Sequence, residues 1–179
     1  MAENVPSPPV LLQSSPHIVS PVNTRTLMGH VLISLAPVSI FGIVIFGIPA
    51  LTNILIGTAT AVAAEALFRL VTKQDNRTGD LSAAVTGLLL ALVIPPSTPL
   101  WITALGSVFA VIVAKEFFGG LGSNVFNPAL IGRAFLLMTF PAALTTWDRP
   151  SRILSAGADS ITGPTPLRML SLGGIETVG

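Results

Sequence analysis

The sequence predicts an all-α membrane protein, a polytopic bundle of about five transmembrane helices followed by a loop outside the membrane. Two observations support this fold class. Only 9% of the 179 residues are charged and 51% are hydrophobic, whereas a soluble domain has about 25% charged residues. In addition, no charged residue occurs between Arg25 and Glu65, and this window is long enough for nearly two crossings of about 20 residues each.

The composition also excludes several functions. A net charge of +1 without any basic run gives no case for nucleic-acid binding. The absence of cysteine excludes disulfides, thiolate metal sites and cysteine-ligated iron–sulfur clusters within this chain. The two histidines lie far in sequence from any pair of carboxylates, so we predict no protein-only metal site. No catalytic residue is predicted, and any chemistry needs a cofactor or a transport role.

The first three segments follow from this pattern. Residues 1–26 are rich in proline and serine, lack the apolar run of a signal peptide, and are predicted to form a polar tail. Apolar runs predict helices at about 27–47 and 50–71, with Gly47 and Pro49 between them. Within the second helix, the spacing of Glu65 and Arg69 predicts an i,i+4 pair on the helix surface.

The next segments are helices separated by breaks. A polar loop at 72–80 precedes helices at about 81–95 and 99–118, which "PPSTP" separates because adjacent prolines interrupt a helix. Lys115 and Glu116 are interpreted as an anchor at the membrane interface. Glycines such as Gly57, Gly87 and Gly106 are expected where membrane helices pack closely, and so are Gly42 and Gly47.

The last predicted helix begins after the turn "GGLGSN" at 119–124. Asn127 is a suitable N-cap and Pro128 occupies the first helical position, so the helix spans 127–140 and ends at Pro141. Asn124 and Asn127 could instead hold an anion at the helix N-terminus, although capping is the simpler interpretation. The transmembrane region is thus 27–141, and 142–179 is predicted to be a loop.

Five crossings place the two ends of the chain on opposite sides of the membrane. One side receives most of the basic residues: Arg25, Arg69, Lys73, Arg77 and Lys115. By the positive-inside rule, this side and the N-terminus are cytoplasmic, and the 142–179 loop lies outside. Three arginines in that loop run against the rule: Arg149, Arg152 and Arg168. Either the orientation is inverted or these arginines have a function.

Four blocks of sequence occur in an order that is typical of one family. They are "SPHI…TRTLMGHVLISLAPVSIFGIVIFG", "LSAAVTGLLLALVIPPSTPLW", "KEFFGGLGSNVFNPALIGRAFLLMTFP" and "DSITGPTPL". Together they resemble the D subunit of the Rnf electron-transport complex and the related B subunit of the sodium-translocating NADH:quinone reductase. The resemblance covers about residues 16–170, and its specific parts are the FNPA block and the threonine motif.

The resemblance implies a multi-pass subunit of the bacterial inner membrane that carries FMN joined through its phosphate to a threonine. Such subunits exchange electrons with other subunits of an ion-translocating oxidoreductase complex that moves Na⁺ or H⁺. A second, non-covalent flavin is left open. A flavin transferase working outside the cytoplasm attaches the FMN at a target resembling D-x-x-[ST]-G-A-[ST].

In this chain the target is matched by Asp159, Thr162, Gly163, Pro164 and Thr165, so the resemblance makes Thr165 the FMN acceptor. Pro164 stands where the target has a small alanine, and a proline restrains φ and lacks a backbone N–H. Asp159 either helps the transferase's chemistry or caps a turn, and Gly163 leaves room for a bulky donor.

Arginines add candidate contacts to the flavin. Arg149, Arg152 and Arg168 flank the motif, and guanidinium groups suit a phosphodiester, although solvated loop charges are the alternative. Arg133 lies six residues into an apolar helix, where a charge usually faces the bundle interior. It contacts the flavin, an acidic group of a partner or an ion path, or else it snorkels to the interface.

Two other functions remain open on the sequence. In the first, the chain is a transporter or channel fragment without a redox cofactor, whose solute path is lined by Arg133, the broken 81–118 segment and the helix capped by Asn127. In the second, it is an inactive truncated remnant, since members of the resembled family continue with a second set of helices.

Overall fold

The computed structural model describes residues 23–73 and 78–146 of the chain. Within these residues the structure is helical and contains no strand, which confirms the predicted fold class. The helices are α1 (Thr24–Phe46), α2 (Ile48–Thr72), α3 (Ser82–Val93), α4 (Leu100–Ile112), α5 (Pro128–Thr139) and α6 (Pro141–Thr145). Two short 3₁₀ turns, Thr78–Asp80 and Glu116–Phe118, precede α3 and follow α4.

All five predicted helices are present, and the differences are local. Regular α-helix ends at Ile112 in α4, where a helix to about residue 118 was predicted. The prediction of a loop from residue 142 onward is wrong for α6. Pro141 ends α5 but also occupies the first position of α6, where its missing N–H is not needed. The side chain of Leu144 then anchors this short helix in the core.

In the described part of the chain, three segments are long and apolar enough to cross a membrane: Thr24–Phe46, Ile48–Thr72 and Leu100–Phe118. The other two predicted crossings, α3 and α5, have only 12 residues each. At 1.5 Å per residue they extend about 18 Å, which is less than the roughly 30 Å of a hydrocarbon core. Irregular backbone therefore lies beside both short helices and must be covered by protein.

α2 is the central helix and packs against α3 and α4 through small residues. A Cβ added to Gly87 would lie 2.5 Å from the carbonyl oxygen of Gly57, so α2 and α3 touch backbone to backbone. Gly106 of α4 makes room for the side chain of Leu136 on α5, whose Cδ1 would lie 2.5 Å from a Cβ added at Gly106. The expected close packing is thus confirmed for Gly57, Gly87 and Gly106.

The expectation of close packing is wrong for two glycines of the α1–α2 corner. A Cβ added to Gly42 or Gly47 would meet no atom of the described residues within 4 Å. Gly47 instead adopts a φ of 72°, which lets the chain turn between α1 and α2. α1 buries none of its 23 residues, and its apolar side chains suit contact with lipid.

Contacts between helices fix their relative heights. The bundle end at Gly47 is here called the Gly47 end, and the opposite end at Lys73 the Lys73 end. Asn53 contacts Thr103 towards the Gly47 end, and Glu65 contacts Lys115 towards the Lys73 end, so α2 and α4 run parallel. Gly132 lies against Ala110 and Leu136 lies against Gly106, so α5 runs antiparallel to α2 and α4 and leads the chain back to the Gly47 end.

Candidate functional site

Four charged side chains meet in the interior near the Lys73 end. Glu65 and Arg69 come from α2, and Lys115 and Glu116 come from the segment that follows α4. Glu65 Oε1 is 2.7 Å from Arg69 Nη2 and 2.8 Å from Lys115 Nζ. Arg69 Nη2 also lies 3.1 Å from Glu116 Oε1. We call these four residues the charge cluster.

The charge cluster is buried and extends to the start of α3. No member exposes more than 6% of its side chain. Lys115 Nζ donates a hydrogen bond to Ser82 Oγ, and Ser82 Oγ donates to Asp80 Oδ1 at 2.6 Å. The cluster therefore connects α2, the N-terminus of α3 and the segment after α4.

Two predictions are corrected by this arrangement. Glu65 and Arg69 do form an i,i+4 pair, but it lies in the core and not on the helix surface. Lys115 and Glu116 are not an interfacial anchor, since both are buried within the cluster. Two carboxylates balance two cations, so the group is neutral as a set. Removing one member of such a buried set typically costs about 3–5 kcal/mol, because an uncompensated charge stays behind.

Sequence reasoning missed the cluster because its partners are distant in the chain. Lys115 and Glu65 are separated by 50 residues, and Ser82 and Lys115 by 33 residues. The only local signal was that these charges fall within or beside apolar helices, where a charge usually faces the interior.

A second polar group holds the break between α3 and α4. The Asn53 side chain is 2% exposed and donates from Nδ2 to the carbonyl oxygens of Pro96 and Thr98, at 2.5 and 3.4 Å. Its Oδ1 accepts a hydrogen bond from Thr103 Oγ1 at 2.6 Å. These bonds satisfy backbone carbonyls that the "PPSTP" break frees inside the bundle.

The turn before α5 has the predicted form. Gly119, Gly120 and Gly122 have φ values of 98°, 85° and 93°, which only glycine adopts without strain. Asn127 caps α5, because its Oδ1 accepts a hydrogen bond from the Ala129 N–H at 3.0 Å. Asn124 Nδ2 donates to the Phe126 carbonyl oxygen at 3.3 Å, which explains its place in the turn.

Arg133 lies on α5, and its side chain is exposed. The buried face of α5 consists of Ala129, Gly132 and Leu136, so Arg133 lies beside that face and not within it. Within residues 23–73 and 78–146, the Arg133 guanidinium forms no ion pair. Contact of Arg133 with the flavin, with an acidic group of a partner or with an ion path, and snorkelling to the interface, all stay predictions, because no described residue pairs with its guanidinium.

The predicted flavin-attachment residues also lie outside the described part of the chain. These are Arg149, Arg152, Asp159, Thr162, Gly163, Thr165 and Arg168. The structure does show how the chain approaches this region. Leu144 of α6 is 5% exposed and belongs to a core cluster with Leu90, Ile94 and Ile102. Residue 146, the last described, therefore follows a helix held firmly at the Gly47 end.

Comparison with known proteins gives one consistent result. A sequence model of the NQR2, RnfD, RnfE family matches residues 11–178. The D subunit of the proton-translocating ferredoxin:NAD⁺ oxidoreductase complex of Clostridium ljungdahlii is 41% identical over 172 residues, which are 94% of this chain and 51% of that protein. The D subunit of the Na⁺-translocating ferredoxin:NAD⁺ oxidoreductase complex of Acetobacterium woodii is 40% identical over 162 residues, 90% of this chain and 49% of that protein.

A third relative agrees with these two. The D subunit of the ion-translocating oxidoreductase complex of Halorhodospira halophila is 41% identical over 149 residues, which cover 82% of this chain and 42% of that protein. The chain thus spans about half the length of the curated relatives it matches.

Proposed function

The chain belongs to the NQR2, RnfD, RnfE family, and on that premise we propose that it acts as a flavin-carrying membrane subunit of an Rnf-like complex. In this role it passes electrons through FMN bound covalently to Thr165, while the complex moves Na⁺ or H⁺. The names of its relatives describe subunits of ion-translocating oxidoreductase complexes. Other membrane subunits are therefore the proposed partners, and a flavin transferase is the proposed maturation partner.

One observation carries the proposal. The family match extends to residue 178 and so includes the motif from Asp159 to Thr165. Thr165 supplies the hydroxyl that accepts the FMN phosphate, and Gly163 leaves space beside it. Arg149, Arg152 and Arg168 supply guanidinium groups for the phosphodiester. When bound, the flavin supplies a centre that accepts and releases electrons.

The distribution of charge supports a cytoplasmic Lys73 end. Among the described residues, four cations lie towards that end: Arg25, Arg69, Lys73 and Lys115. No Lys or Arg lies at the Gly47 end of the described part. By the positive-inside rule, the Lys73 end faces the cytoplasm of a bacterial inner membrane. α6 ends at the opposite end, so the proposed flavin loop starts outside, where the transferase works.

The test is covalent flavin on the protein itself. The chain is expressed together with an active flavin transferase, run on a denaturing gel and viewed under ultraviolet light. We expect a fluorescent band for the wild type, loss of the band for Thr165→Val, and an unchanged band for Thr177→Val. Thr177 is a matched control because it lies in the same segment but outside the motif.

A dark wild-type band, with a transferase that labels another substrate, contradicts the covalent-flavin proposal. A Pro164→Ala variant then separates two causes. Fluorescence that returns in this variant shows that Pro164 blocks the transferase, since alanine stands there in the target. Fluorescence that remains in Thr165→Val places the flavin on another residue.

A further inference from the structure

Arg133 is carried on α5, level with the middle of the long apolar helix α2. Gly132 of α5 packs against Ala110 of α4, and Leu136 packs against Gly106. α4 is in turn aligned with α2, because Thr103 lies between Asn53 and Gly57. These contacts bring the backbone of Arg133 level with the middle of α2, the 25-residue helix that crosses the bilayer.

Snorkelling does not bring this charge to water. The middle of α2 is about 15 Å from either edge of a hydrocarbon core roughly 30 Å thick. An extended arginine side chain reaches about 7 Å from its Cα, so about half of the distance remains. An exposed Arg133 in contact with lipid is therefore strongly unfavourable, and a group outside the described residues must cover it.

The described residues offer no acidic group for this purpose. They contain three carboxylates: Glu65, Asp80 and Glu116. Glu65 and Glu116 belong to the charge cluster, and Asp80 is bonded to Ser82 at the Lys73 end. The anion that complements Arg133 is therefore supplied from elsewhere.

The rest of the exposed face of α5 resembles a packing surface. Leu130, Leu137 and Met138 expose 54%, 43% and 86% of their surface, and the small Ala134 lies among them. α1 offers a contrast, since none of its residues is fully buried and it has no charge beyond Arg25 at its first turn. α1 therefore suits lipid, whereas the α5 face has a charge that lipid does not accommodate.

We propose that this face of α5 docks a transmembrane helix that carries an Asp or Glu opposite Arg133 at mid-membrane depth. The occupant comes from the half of the relatives' length that this chain does not span. α5 is the last long helix of the described part, and consecutive elements are usually neighbours in space. The proposal rests on family membership and not on the flavin.

The experiment expresses residues 1–179 together with the unmatched part of the Clostridium ljungdahlii relative as a separate, tagged chain. Co-purification in mild detergent is measured for the wild type, Arg133→Leu, Arg133→Lys and Lys73→Leu. We expect Arg133→Leu to lower recovery by about thirtyfold or more, the loss typical of a buried charge left without its partner. Arg133→Lys retains part of the binding because it keeps the charge.

Lys73→Leu is the matched control, because it removes an exposed cation at the edge of the bundle. We expect this variant to co-purify with the tagged chain as well as the wild type does. Insertion of Arg133→Leu alone is checked by resistance to alkaline extraction, and we expect it to equal or exceed the wild type. A gain of co-purification when Arg133→Asp is combined with an acid-to-arginine change in the tagged chain would identify the facing carboxylate.

The proposal is overturned if Arg133→Leu co-purifies with the tagged chain as well as the wild type does. It is also overturned if the wild type itself does not co-purify. Flavin fluorescence on Thr165 provides a separate readout. If Arg133→Leu abolishes that fluorescence without affecting co-purification, Arg133 serves the flavin and not a docked helix. Loss of co-purification with normal fluorescence supports the docking proposal, whatever the fate of the flavin proposal.

Discussion

Replacing Lys115 by methionine tests whether the charge cluster stabilises the fold. Lys115→Met keeps most of the side-chain volume but leaves the carboxylates of Glu65 and Glu116 facing the single guanidinium of Arg69. Glu65 Oε1 keeps Arg69 Nη2 at 2.7 Å but loses its second donor, Lys115 Nζ at 2.8 Å, and Ser82 Oγ also loses Lys115 Nζ as a donor. Because all of these groups are buried, we expect the free energy of unfolding to fall by about 3–5 kcal/mol.

A double substitution provides the decisive comparison. Lys115→Met with Glu65→Gln leaves Arg69 and Glu116, which lie 3.1 Å apart and balance one another. The double variant should therefore be less destabilised than the sum of the two single variants, by about 2 kcal/mol or more. Lys73→Met is the matched control, and a change within about 0.5 kcal/mol is expected because Lys73 is exposed.

The measurement is unfolding of the purified chain in mixed micelles as the fraction of denaturing detergent rises, followed by helical circular dichroism. If Lys115→Met is as stable as the Lys73→Met control, the cluster contributes nothing to stability. Additive losses in the double variant would show that Lys115 and Glu65 act independently, and either result refutes the reasoning from neutrality.

Two other perturbations test the packing by the same assay. Gly87→Ala places a Cβ 2.5 Å from the carbonyl oxygen of Gly57, and we expect it to lower the free energy of unfolding by about 1–3 kcal/mol. Gly42→Ala is the control: its Cβ would meet no atom of the described residues within 4 Å, so we expect it to be neutral or stabilising. Equal effects of the two variants would contradict the close approach of α2 and α3. Asn53→Leu removes the side chain that bonds the "PPSTP" break and Thr103. We expect a loss of about 2 kcal/mol or more, because it leaves the carbonyl acceptors of Pro96 and Thr98 and the hydroxyl donor of Thr103 without this partner. A stability equal to that of Thr52→Val, which removes only a hydroxyl bonded within its own helix, would contradict this role.

Much of the fold was readable from the sequence because its signals are local. Apolar runs between charges mark helices, and Gly47, the "PPSTP" segment and Asn127 mark where helices begin and end. Each signal acts through the backbone of its own few residues, so no partner is needed to interpret it. The same locality explains the error at Pro141, since one proline both ends α5 and begins α6.

The candidate site depended on the tertiary structure to a greater extent. Arg133 was visible as a charge in an apolar helix, but its direction was not, because direction depends on which face of α5 meets α4. Gly132 and Leu136 take that contact, and this leaves Arg133 exposed.

That the threonine motif accepts a flavin stays a prediction from the family resemblance. By itself the sequence determined the all-α membrane class and the approximate positions of five helices. Composition, periodicity and short motifs specify these features within a few neighbouring residues. Only the tertiary structure decided that Glu65, Arg69, Lys115 and Glu116 form one buried set without net formal charge and that Arg133 lies outward, level with the middle of α2. The physical reason is that charge compensation and depth depend on residues up to 50 positions apart in the chain, which only the packing of the helices brings to one place.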